Sequence, residues 1–326
     1  MKFWCFGTTK RYQERQQLSS EQIRGIFRCI KLRSPTGVHK RWCLKMTNYE
    51  FEFEVEKMME AVIDAASEDG LVRPDHFHYQ LSGKDKPMIV VAAAPRTGST
   101  FLTNVLKKVT KLPRFRLCSG YSTNEHDLYL PALCMMNNNG CVSQMHMKGT
   151  FHNALLINRF KIRQIILVRN IYDIVASLFD DLRKKEEMPG YHIGKIGYSF
   201  LWLDSATKNM NDEDLIDMII DLAIPWYVNF YVSWYRLTEQ NIVNPIWVNY
   251  EDMMNDKNNT IISILNFIDF PFNGEINSTI LNEKHSTYNK GDSGRGDILL
   301  SDERKRRIME KFSYYDDVNF DRYFVR

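Results

Sequence analysis

Three short stretches of the chain are apolar, rich in β-branched residues and free of polar alternation. They are residues 87–94 (Pro-Met-Ile-Val-Val-Ala-Ala-Ala), 164–168 (Gln-Ile-Ile-Leu-Val) and 245–250 (Pro-Ile-Trp-Val-Asn-Tyr). Such runs predict strands of a parallel sheet covered on both faces. Each is followed by a polar turn and then by apolar positions at helical spacing. The helices so predicted run from Phe101 to Lys108, through Asp173, Val175, Ala176, Leu178 and Phe179, and near 261–267. A long aromatic-rich helix is predicted from Leu215 to Glu239. Ser301-Asp302-Glu303 supplies an N-cap and an acidic first turn for a last helix reaching about Phe312. Upstream, Val55, Met58, Met59, Val62, Ile63 and Ala66 fall on one helical face that ends near Gly70 and Pro74. Strands alternating with helices predict an α/β fold of three layers, a mostly parallel central sheet of about four or five strands flanked by helices. Ligands of such sheets bind beyond the carboxyl ends of the strands. Arg96, Arg169 and Tyr250 all fall just past those ends.

Composition adds little to the body of the chain and more to its start. The 326 residues are 44% hydrophobic and 25% charged, an ordinary globular balance, and the net charge of +3 selects no partner. The first 45 residues, however, hold eleven Lys or Arg against Glu14 and Glu21. Phe3, Trp4, Phe6, Phe27 and Trp42 are interspersed among them. Residues 1–80 therefore read as a basic, partly helical extension, and residues 81–326 as the functional domain. A basic arm can bind nucleic acid, but a solvated basic face is the simpler reading and no nucleic-acid partner is expected. No apolar run reaches the roughly 18 residues of a membrane span, and no signal-peptide core follows Met1. The six cysteines, Cys5, Cys29, Cys43, Cys118, Cys134 and Cys141, show no metal spacing, and the eight histidines are dispersed. A cytoplasmic protein with reduced thiols and no metal is expected; nothing in the sequence sets its oligomeric state.

The sharpest local signal is the turn Pro95-Arg96-Thr97-Gly98-Ser99-Thr100, between a buried strand and a helix opening at Phe101. Strand, small-residue loop and helix together aim backbone N–H groups and a helix N-terminus at an anion. It is P-loop-like without being a Walker A motif, because Gly98 is followed by Ser99 where that motif needs Lys. The cation stands earlier, at Arg96. A nucleotide or small-molecule kinase is the alternative enzyme reading, and the missing lysine weighs against it.

At these residues the chain resembles the sulfotransferases that use 3′-phosphoadenosine-5′-phosphosulfate (PAPS). The Arg form of the loop is most similar to that of the protein-tyrosine and bacterial carbohydrate branches. The resemblance implies that Arg96, Thr97, Gly98, Ser99, Thr100 and Phe101 bind the 5′-phosphosulfate. In the run Val168-Arg169-Asn170-Ile171-Tyr172-Asp173-Ile174-Val175-Ala176-Ser177, it implies that Arg169 and Ser177 grip the 3′-phosphate; the family often has Pro where Ile171 stands. Tyr250, in Tyr250-Glu251-Asp252, is implied near the adenine. In Asn289-Lys290-Gly291-Asp292-Ser293-Gly294-Arg295, the resemblance implies that Lys290, Gly291 and Gly294 close over the 3′-phosphate. Asn289 stands where the family has Arg, and Arg295 is a candidate for the missing charge. The catalytic base has two candidates. His146 lies 23 residues before Arg169, as in the family's histidine branch; Glu125 lies 29 beyond Arg96, nearer the pattern of the glutamate branch. A free His base titrates near about 6.5 and a Glu near about 4.3. Gln144 stands where the histidine branch has a lysine, and Lys148 is the candidate substitute if residues 145–148 are extended. The implied reaction is sulfuryl transfer from PAPS, without metal, to a hydroxyl or amine of a small-molecule or carbohydrate acceptor, releasing adenosine 3′,5′-bisphosphate. Residues 188–204, rich in aromatics, read as a loop over the acceptor or as packed surface.

Overall fold

The structure, a computed structural model, describes residues 86–119, 125–186, 207, 209–272, 275–282 and 294–324. The helix expected over 55–66, the basic arm, the boundary near residue 80 and the segment 188–204 lie outside these residues. Among the described residues, four strands form one parallel sheet in the order β2-β1-β3-β4, with β1 Met88–Ala93, β2 Cys141–Met145, β3 Arg163–Val168 and β4 Ile246–Asn249. β1 is central: Val91 pairs with Gln144 on one side and with Ile165 on the other. Every residue of β1 is buried, as a non-alternating run requires. β2 was not among the apolar stretches, because Ser143 and Gln144 break its hydrophobic pattern.

The two faces of β1 divide cleanly. Ile89, Val91 and Ala93 pack with Leu102, Val105 and Leu106 of α1 (Ser99–Thr110). The same layer holds Met253 of α7 (Tyr250–Asn255) and Ile261, Ile264 and Leu265 of α8 (Lys257–Phe267). Val90 and Ala92 face the opposite layer, built on α2 (Leu130–Met136), α3 (Phe151–Arg159) and α4 (Ile171–Glu186). The helices that follow β1 and β3 thus lie on opposite faces, and the crevice between those two strand ends is the topological switch point where α/β sheets bind ligands.

The long aromatic helix is real but interrupted. It runs as α5 (Asp212–Met218), a π-helical turn (Ile219–Ala223) and α6 (Ile224–Glu239). Pro225 explains the break, since it has no N–H to offer the carbonyl four residues back and its ring crowds that carbonyl. By length and composition, Asp212–Glu239 would suffice to cross a membrane. Yet 67% of its most apolar window is buried inside the structure, and Trp226, Tyr227, Phe230, Tyr231 and Trp234 all lie within the core. It is a core helix. The chain continues through α9 (Ser278–Leu281), α10 (Arg295–Leu299) and α11 (Asp302–Phe312), the last capped by Ser301 as predicted.

Candidate active site

The loop after β1 is shaped by two left-handed residues, Arg96 (φ 66°) and Gly98 (φ 86°). Gly98 is needed twice over. Its φ disfavours any side chain, and a Cβ there would come within 2.6 Å of the Tyr250 ring. Gly98 is the N-cap of α1 and offers no side chain to the first-turn N–H groups, and that turn holds no acid. The helix end therefore keeps its unsatisfied donors and positive dipole for an anion. That is the fit a 5′-phosphosulfate requires.

The hydroxyls of the loop do not act alike. The Thr97 side chain is fully buried and donates to the Ala94 carbonyl (2.7 Å), so its hydroxyl braces the turn. The Ser99 hydroxyl accepts a hydrogen bond from Gln144 (2.8 Å). Thr100 and Phe101 are half-buried at the start of α1, and the Lys257 ammonium lies over the Phe101 ring. Tyr227 of α6 donates its buried hydroxyl to the Pro95 carbonyl (3.0 Å), clamping the loop from the far layer. No sequence signal marked Tyr227, since an aromatic on an apolar helix face reads as core.

Arg96 joins the two expected phosphate sites. Its Nε donates to Ser177 (3.2 Å) and its Nη1 pairs with Asp181 (3.0 Å), both on α4. Arg169 in turn donates to the Arg96 carbonyl (3.2 Å), and its guanidinium stacks 4.2 Å over the Tyr250 ring. Arg169 and Ser177 thus converge, as their spacing implied, with Arg96 at the junction. Arg96 is braced against Asp181 rather than standing alone on the flank of the loop. Tyr250 begins α7 instead of ending β4, with its ring wedged between Gly98 and Arg169.

The start of α4 is fixed by carboxylates the sequence only hinted at. Asn170 caps the helix by accepting from the Tyr172 and Asp173 N–H groups, and buried Glu251 accepts from the Asn170 N–H (2.9 Å). Burial pushes the Glu251 carboxyl above its ordinary pKa. Asp173 accepts from the backbone N–H of Gly294 (2.9 Å) and Gly296 (2.8 Å), tying the late glycine segment to α4. Arg295, the candidate for the missing charge, forms an ion pair with Asp180. Lys290 and Gly291 lie outside the described residues.

His146 follows β2. Its Nδ1 lies 2.7 Å from the carbonyl of Ala93, the last residue of β1. A carbonyl only accepts, so Nδ1 carries the proton and Nε2 presents a lone pair. The His126 ring stacks on it at 5.6 Å. Burial lowers the His146 pKa to about 4; the Ala93 bond opposes that shift, while His126 and Arg116 add to it. The limb near 6.5 expected of a histidine base is therefore corrected downward, and a pH profile no longer separates it from a carboxylate. Glu125 is half-exposed and holds two partners, the Trp226 indole N–H (2.7 Å) and Lys148 (2.9 Å). Lys148, the candidate substitute cation, is thus paired with Glu125. Burial raises the thiols of Cys134 and Cys141, to about 11 and about 12, which makes them inert.

The sequence profile of the family described as the sulfotransferase domain matches residues 86–312. Among solved structures, mouse sulfotransferase SULT7A1 complexed with PAP is similar at a TM-score of 0.50 and 12% identity, over 77% of this chain and 92% of that one. Retinol dehydratase in complex with androsterone and inactive cofactor PAP matches at a TM-score of 0.48 and 12% identity, over 75% and 86%. No protein of curated function matches the chain in sequence. The fold, the anion-ready end of α1 and the extent of the profile lead to one assignment: this chain belongs to the sulfotransferase-domain family.

Proposed function

We propose that this PAPS-dependent sulfotransferase sulfates a hydroxyl of a polar small molecule or sugar, with His146 as the general base. The observation that carries the reading is the Ala93 contact. It anchors the base at the root of the loop that faces the phosphosulfate, with Nε2 unprotonated and free to accept a proton. PAPS supplies the sulfuryl group and leaves as adenosine 3′,5′-bisphosphate. The α1 N-terminus, Ser99 and Arg96 hold the 5′ end, while Arg169 and Ser177 hold the 3′-phosphate. Nε2 takes the acceptor proton as the acceptor oxygen attacks sulfur in line, and the cationic loop stabilises the charge that builds on the leaving oxygen. At neutral pH the lowered pKa keeps His146 neutral and ready. Among the described residues it has a polar neighbour, the His126 ring stacked on it. Glu125, held by Trp226 and Lys148, serves the acceptor rather than the proton.

The test is a screen of sugars, phenols, steroid alcohols and amines with PAPS radiolabelled on sulfur. Label transfer to hydroxyl-rich acceptors that is lost in His146→Ala supports the reading. Transfer to hydrophobic alcohols alone, or full activity without His146, overturns it.

A further inference from the structure

At Gln144 the chain lacks the lysine that its resemblance to the histidine branch implies. The structure shows what is attached there instead. Arg114 lies in a segment that runs alongside β2: its Cα pairs with Val142 in a parallel bridge, and Phe115 N–H bonds to the Val142 carbonyl at 3.1 Å. From this edge, Arg114 Nη2 donates to Gln144 Oε1 at 2.8 Å, and Gln144 Nε2 donates to Ser99 Oγ at 2.8 Å.

The direction of this chain of bonds is fixed by chemistry. A guanidinium has donors only, so the amide oxygen must face Arg114. The amide NH₂ then faces Ser99, whose hydroxyl is the acceptor in that bond. A hydroxyl carries one proton, and with Gln144 occupying a lone pair that proton is left to be donated elsewhere. Ser99 is the first residue of α1, at the helix end that awaits an anion. Among the described residues, Arg114 distinguishes the two ends of the Gln144 amide; a flipped amide would ask Ser99 to donate toward it.

We propose that Arg114 is a positioning residue for the phosphosulfate loop, acting through the Gln144 amide to commit the Ser99 hydroxyl as a donor to the 5′ anionic group of PAPS. The relay sets a cation two hydrogen bonds away from the Ser99 hydroxyl. The proposal rests on the PAPS reading of the site, and its test separates the two. It predicts an effect confined to one end of the nucleotide, which mere loss of stability would not produce.

The experiment is calorimetric titration of the full chain with adenosine 3′,5′-bisphosphate and with adenosine 3′-monophosphate, which lacks the 5′ group. Arg114 is exposed, so Arg114→Met is expected to fold, and its melting temperature is measured alongside. Arg114→Met is expected to weaken the bisphosphate about 5–10-fold, the scale of one ordinary hydrogen bond, and to leave the monophosphate within about twofold. Arg114→Lys, which keeps a donor, recovers most of the loss. In a Gln144→Met background, where the relay is already cut, Arg114→Met has no further effect. Equal weakening of both nucleotides, an undiminished loss in the Gln144→Met background, or no loss at all would overturn the relay. Failure of the unmodified chain to prefer the bisphosphate would instead refute the donor assignment itself.

Discussion

Gly98→Ala probes how the loop after β1 is held. The added Cβ meets two obstacles that can be separated. The first is the backbone, because φ of 86° costs an L-residue roughly 1–2 kcal/mol. The second is the Tyr250 ring, whose Cδ2 and Cε2 would lie 2.6 and 2.7 Å from the new atom. The ring cannot retreat freely, because its other side carries the Arg169 guanidinium at 4.2 Å, a stacking worth about 0.5–2 kcal/mol. The substitution therefore costs about 3 kcal/mol, or roughly 6–10 °C in melting temperature for a domain of this size. In a Tyr250→Ala background the ring is gone and only the backbone cost remains, about 1 kcal/mol, leaving a coupling of about 2 kcal/mol. Calorimetric unfolding of the four proteins in the cycle measures it. Equal costs in both backgrounds would refute the argument and show that the loop, rather than the wedge of Tyr250, sets the penalty.

Three further outcomes are expected. With acceptor saturating, the rate should stay flat from pH 8 down to about 5 and fall as His146 protonates near pH 4. Because that folded pKa lies below the unfolded value of about 6.5, His146 contributes stability above pH 6.5 that is lost as pH falls through 4. His146→Gln should flatten that part of the pH–stability curve and lower kcat about 10²–10⁴-fold; an unchanged acid limb would exclude His146 as its source. Asp181→Asn keeps a hydrogen-bond acceptor for Arg96 but removes the negative charge beside it, so affinity for adenosine 3′,5′-bisphosphate should rise several-fold; a fall would mean that Asp181 preorganises Arg96. Asp173→Asn replaces one of two acceptors for the Gly294 and Gly296 N–H groups with a donor, and should weaken bisphosphate binding about tenfold by titration, with adenosine affinity unchanged.

Much of the site was legible because its chemistry is local. Arg96, Gly98, Ser99, Arg169 and Ser177 sit within strand–loop–helix units whose periodicity changes from buried run to amphipathic helix, and the structure brings them together. What escaped was written across the chain rather than along it. Tyr227, Asp181 and Arg114 act through partners 132, 85 and 30 residues away, and no spacing rule reaches that far. Polar Ser143 and Gln144 hid strand β2, although their side chains are what bind the Leu117 N–H and the Ser99 hydroxyl. The partners of Lys148 and Arg295 were hidden for a related reason. A sequence shows a cation but not the carboxylate that faces it, here Glu125 and Asp180.

The π-helical turn at Ile219–Ala223 also changes how the spacing of its helix should be counted. Ile219, Ala223, Tyr227 and Tyr231 are all buried, and all are four apart. In an unbroken α-helix such a stripe drifts about 40° at each step and would wind off the sheet within three. A turn closed by a bond five residues back, from Ile224 N–H to the Ile219 carbonyl, absorbs one residue and brings the stripe back into phase. The helix thus holds one residue more than an α-helical path of the same length would. Excising one residue there, such as half-exposed Leu222, would leave the same side chains facing inward. It would, however, draw α6 about 1.5 Å along its axis. The Tyr227 hydroxyl, 3.0 Å from Pro95, and the Trp226 indole, 2.7 Å from Glu125, would then arrive at the wrong height on the right face. A single residue of helix length sets the reach of both clamps.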